Sequence, residues 1–166
     1  MTALCIATCL GPLHATGQQL ERQDGSQAAT AFADKVEAFI ASLPVKREHV
    51  EVRINRCEGA RGEMHDDVSA IGVGTRLVAE NDDAGRLLAA VADDWRDRGM
   101  QVFRDRVLAN GGVNIAATDP ASGESFSLGS GFPPHPERYI VGYFSTACLE
   151  EPSGAVPFGP VRGSNR

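Results

Sequence analysis

From residue 28 to 43 the apolar positions Ala28, Ala29, Phe32, Val36, Phe39, Ile40 and Leu43 recur at intervals of three and four. That is the period of one helix face, so 27–43 is predicted to be an amphipathic helix, stopped by Pro44. The pattern then changes. In HVEVRINRC (49–57) Val50, Val52 and Ile54 alternate with Glu51, Arg53 and Asn55, the period of a half-buried strand. RCEGARGEMHDD (56–67) is polar and contains glycine, so an exposed loop is expected there. AIGVGTRLVA (70–79) reads as a second strand, with Ile71, Val73 and Leu77 on one face.

Helical spacing returns after Asn81 or Asp82, either of which can cap a helix. Its buried stripe is Leu87, Leu88, Val91 and Trp95, and it ends at Gly99. Strand-like segments follow at 100–108, 112–118, 124–130 and 138–148. Asn110-Gly111-Gly112, Asp119 through Gly123, and Gly131 to Pro136 separate them. Connections this short suit antiparallel neighbours, since a parallel crossover needs a dozen or more residues. The order α-β-β-α-β-β-β-β therefore predicts an α+β fold: a single antiparallel β-sheet of five to six strands with two α-helices packed on one face. Three regions result. Residues 1–26 form a signal-like apolar segment and polar linker, 27–150 the α+β domain, and 151–166 a flexible tail rich in Pro and Gly.

A length of 166 residues suits one such domain. The formal net charge of −6 argues against a nucleic-acid partner or an anionic membrane surface. Most arginines stand beside Asp or Glu, as on a solvated mixed surface. Arginine outnumbers lysine fourteen to two, and Ala and Gly are abundant, a bias that points to a high-GC genome.

AGRLLAAVADDWRDRGMQVFRD (84–105) carries a Trp late in its helix and a Gly four residues on. It leads into a strand series that ends STACLEEPSG (145–154). Together they resemble the small secreted or lipid-anchored actinobacterial proteins of the LppA-like kind, over roughly residues 28–158. The resemblance implies an α+β domain behind a signal peptide, an envelope location and no known catalytic residues. It also implies that a cysteine before the second helix is matched by one near the C-terminus, the places held here by Cys57 and Cys148. The residues themselves leave three readings of this pair. They form a structural disulfide, which requires an oxidising compartment, or two free buried thiols, or a reactive thiol with His65 as base.

Cys5 and Cys9 lie in the apolar run MTALCIATCLGPL (1–13). IATC (6–9) is similar to a bacterial lipobox, which makes Cys9 the candidate lipidation site, although Thr8 and the missing basic n-region depart from that pattern. The run is too short to span a bilayer.

Other chemistry is sparse. MHDD (64–67) places His65 beside two carboxylates, but adjacent loop residues seldom aim at one ion, so a solvated loop is expected and neither metal nor cofactor. His135 is boxed by prolines in FPPHPE. Gly72-x-Gly74 lacks the rest of a dinucleotide loop, and no serine lies in a G-x-S-x-G setting. If both helices cover one sheet face, the other is left to display Phe103, Tyr139 and Tyr143 as ligand- or partner-binding residues. The expected protein is a monomeric, non-enzymatic envelope module, secreted or lipid-anchored, that binds a small amphipathic ligand or an envelope protein. The competing expectations are a cytosolic interaction protein with reduced cysteines and a hydrolase without a linear motif.

Overall fold

The computed structural model describes residues 20–58 and 62–161, so Cys5 and the candidate lipidation site Cys9 lie outside the described residues. The fold is α+β. Two helices, α1 (Gly25–Ala41) and α2 (Ala84–Asp97), accompany a sheet of nine strands, three more than the six at most expected. Six strands are long: β2 (Val45–Glu58), β3 (Met64–Ala79), β4 (Gln101–Val107), β5 (Val113–Thr118), β6 (Ser125–Ser130) and β7 (Tyr139–Ser145). They follow the predicted order. The additional three, β1 (Glu21–Arg22), β8 (Leu149–Glu150) and β9 (Gly159–Pro160), have two residues each, too few to leave a period in a sequence. Nor is the sheet wholly antiparallel, because β1 pairs parallel to β8.

The long strands lie side by side as β2-β3-β7-β6-β5-β4, each antiparallel to its neighbours. β8 continues beyond β7 against the first residues of β3, and β9 pairs with β2. The expected loop at 56–67 is mostly strand. β2 and β3 stay paired out to Glu58 and Met64 across a register shift, and the Arg56–Asp66 ion pair joins their polar ends. His65, Asp66 and Asp67 are therefore strand residues. These ends carry no apolar alternation, and their residues are exposed or half-buried.

Both helices lie on one face. α1 packs on β2 and β3, α2 on β4, β5 and β6. Alternation along each strand supplies the core beneath them: Val52 and Ile54, Ile71 and Val73, Ile140 and Phe144, Phe126 and Leu128. Phe39 of α1 and Trp95 of α2 meet over the middle of the sheet, at a ring separation of 6.2 Å. Phe144 stands edge-on to Phe39, and Phe126 packs against both Phe144 and Trp95. This aromatic cluster joins the two helix–sheet halves into one core.

The helix starts differ by a few residues from expectation because the caps do. Asp24 accepts hydrogen bonds from the backbone N–H groups of Ser26 and Gln27, so α1 begins at Gly25. Asp83, one residue beyond the two candidates, caps α2 through the N–H of Arg86. Residues 151–161 run back over the body. Val156, Phe158 and Val161 pack against the core, and buried Glu151 accepts the N–H of Gly25 at 2.8 Å.

Candidate functional site

Among the described residues no helix crosses the opposite face of the sheet. Three rows of residues run across it from β2 to β4 in the strand order given above. The first is His49, Arg76, Val141, Gly129, Asn114 and Arg106. The second is Glu51, Gly74, Tyr143, Ser127, Ala116 and Arg104. The third is Arg53, Gly72, Ser145, Ser125, Thr118 and Gln101. On β6 and β5 the side chains of these rows are small, and on β3 a Cβ added at Gly74 would meet nothing within 4 Å. The result is a shallow trough with a hydroxyl- and amide-bearing floor.

Two rings rise from this floor, each seated on a glycine. A Cβ at Gly72 would stand 2.7 Å from the Tyr143 hydroxyl and 2.5 Å from Asn55 Nδ2, so a side chain there would push the phenol and the amide off their present places. Asn55 Nδ2 donates to that hydroxyl at 3.4 Å. Phe132 lies against Gly129, its ring 3.5 Å from where a Cβ would be. The connection after β6 holds it there. Gly131 crosses Gly112 too closely for a Cβ on either, and Asn110 Nδ2 donates to the Gly131 carbonyl at 2.9 Å.

The three aromatic residues expected on this surface are placed differently. Tyr143 is 51% exposed on the open face. Phe103, at 62%, is the extra residue of a bulge in β4, where the Arg104 guanidinium sits 5.8 Å from its ring. Three strand spacings separate the two, roughly 14 Å, so they flank the trough without touching. Tyr139 is half-buried at the start of β7, edge-on to His135. Phe132, 41% exposed, was not anticipated, because it lies in a connection and reaches the face only through the fold of 131–138.

The charge on this face is one-sided. Its rows hold four arginines and one carboxylate, Glu51, which pairs with Arg53 at 2.8 Å. Arg76, Arg104 and Arg106 have no ion pair among the described residues. Elsewhere arginines are neutralised, as Arg96 is by Asp93 and Asp105, whose contacts raise its pKa, with the Asp105 hydrogen bond the largest cause.

At one end of the molecule Cys57 and Cys148 stand at disulfide distance, with Cα atoms 5.8 Å apart, joining the end of β2 to the segment before β8. Cys148 also borders a cleft of about 600 Å³ between α1 and the β5–β6 turn, lined by Phe32, Ala147 and Leu149 and bridged by a Lys35–Glu124 ion pair. His65 is exposed. Among the described residues no group of three or more His, Cys, Asp or Glu side chains could hold a metal ion, and no helix is long and apolar enough to cross a membrane. Comparison with known proteins finds no matching family model, no matching curated protein and no matching solved structure.

Proposed function

We propose that this protein is a non-enzymatic binding module of the cell envelope, exported and held there by lipid at Cys9 or released, which engages an envelope partner or a small amphipathic ligand through its helix-free sheet face. One observation carries the reading. Both helices and residues 151–161 lie away from that face, leaving Tyr143, Val141 and Phe132 exposed beside the small residues of β6 and β5. A sheet needs only one covered face to make its core, so a second face bearing seated rings is available for a partner. The Cys57–Cys148 pair is compatible with an oxidising compartment, and the resemblance to LppA-like secreted proteins points the same way.

The test is nuclear magnetic resonance of the isotope-labelled domain titrated with a detergent extract of the envelope. Shifts or broadening are expected at Tyr143, Ser127 and Ala116, while α1 and α2 stay unchanged. Perturbation confined to the helices, or none anywhere, refutes the reading. Export is tested separately by mass spectrometry of the membrane fraction, where a lipid-modified N-terminal peptide is expected in the parent and absent from Cys9→Ser.

A further inference from the structure

We infer that the open face takes an extended acidic oligosaccharide, a glycan chain whose sugars carry carboxylates. This deepens the reading of that face as a binding surface and rests on it. Charge is the first observation. The three rows carry four guanidinium groups and one carboxylate, a balance of +3, whereas the whole chain carries −6. The rest of the chain then holds −9 (−6 minus +3), so net positive charge gathers on the sheet face that neither described helix covers. Arg76 stands at one side of the trough and Arg104 with Arg106 at the other, four strand spacings away, roughly 19 Å. A compact anion cannot reach both sides, but a chain bearing several carboxylates can. Arg76 and Arg106 have no ion pair among the described residues, and Arg104, which donates to Asn114 at 3.5 Å and lies over the Phe103 ring, has no carboxylate either, so their planar forks suit carboxylates.

The floor is the second observation. Ser127, Ser125, Thr118 and Asn114 offer hydroxyl and amide groups at the spacing of the strands. Sugar hydroxyls match such groups, and the C–H faces of sugar rings pack on exposed aromatic rings, here Tyr143 and Phe132. An acidic peptide is less well served, because a sheet face has no ladder of backbone groups for it. Extended peptides add at sheet edges instead. A bilayer surface calls for a broad apolar patch, and here the exposed apolar group is confined to Tyr143, Val141 and Phe132, beside the hydroxyl and amide groups of β6 and β5.

The experiment is calorimetric titration of the domain, at low salt, with hexameric oligogalacturonate. The neutral methyl ester of the same oligomer, a poly-glutamate of similar charge, and phosphatidylglycerol vesicles are run in parallel. The acidic oligomer is expected to bind, and its ester to bind at least about tenfold more weakly. R76Q/R104Q/R106Q and Y143A should each weaken binding. R86Q/R98Q on α2 should leave it unchanged. Equal binding of the ester, or equal or tighter binding of poly-glutamate or vesicles, overturns the inference. Lack of oligogalacturonate binding, with the envelope extract still perturbing the face, refutes the glycan alone. Silence from both refutes the face as well.

Discussion

At Gly142 the missing side chain is part of the core. A Cβ there would stand 2.5 Å from Thr75 Oγ1 and 2.9 Å from Leu128 Cδ2, with Phe144 beside them. These are inward atoms of three adjacent strands, and no single rotamer change clears them. Gly142→Ala is therefore expected to lower stability by about 1–3 kcal/mol, read as a fall in the urea midpoint at unchanged slope. Thr75 lies across the β3–β7 pairing from Gly142, and its buried hydroxyl has no hydrogen-bond partner among the described residues. Replacing it by a methyl of the same shape removes a desolvated group, so Thr75→Val should raise stability by about 1 kcal/mol in the same assay. The alternation Ile140, Gly142, Phe144 against Val141 and Tyr143 places Gly142 inward and Tyr143 outward from sequence alone. What alternation cannot supply is the cross-strand neighbour. Gly72, which seats Tyr143, is 71 residues away (143 minus 72) and becomes its support only through the register of β3 with β7.

At the scale of elements, legibility followed length and locality. The six long strands and both helices each carry a period over several residues, and each is found near its predicted place. β1, β8 and β9 are defined by what the rest of the chain brings alongside them, and a two-residue segment holds no record of that. The hairpin of β2 and β3 overran its predicted end because backbone pairing continues through residues that no core buries, where side chains need not alternate. The β5–β6 connection, by contrast, was legible as a turn and its chemistry is local. Asp119 accepts from the N–H of Ala121 at 2.8 Å and from the Ser122 hydroxyl at 3.0 Å. The Ala121 bond is the largest cause holding its carboxyl below the usual aspartate range. A depressed folded pKa contributes stability that is present above the unfolded value and disappears as pH falls through the folded one. Asp119→Ala should thus be less stable than the parent at neutral pH and converge with it in acid, a trend that urea midpoints over a pH series will read.

For the whole molecule, the Cys57–Cys148 pair closes a loop across 91 residues of sequence. A loop of that size is associated with ~4–5 kcal/mol in the chain-entropy account, so reduction, or Cys57→Ser with Cys148→Ser, should lower the free energy of unfolding by up to that much. The concentration of positive charge on one face is likewise a property of the assembled sheet. Arg76 and Arg104 are 28 residues apart (104 minus 76) and share a surface because β7, β6 and β5 lie between their strands. In sequence Arg104 sits in a mixed-charge stretch and Arg76 alone in an otherwise uncharged one, so the net charge of −6, which argued against nucleic acid and an anionic membrane surface, does not show the local balance of this face.

The pairing of β1 with β8 also gives the domain a load path. The described chain enters at Leu20 and at once runs parallel to β8, with Gln23 bonded to Glu150 and Gly25 to Glu151 just beyond. A pull on that entering strand loads these hydrogen bonds together, in shear, before any of them can peel. From Cys148 the force passes through a covalent bond to the end of β2, and so into the longest strand pair of the sheet. A module held by its N-terminal end would therefore take tension along the β2–β3 side of its framework, while β6 and β5, which floor the trough, lie beside that route.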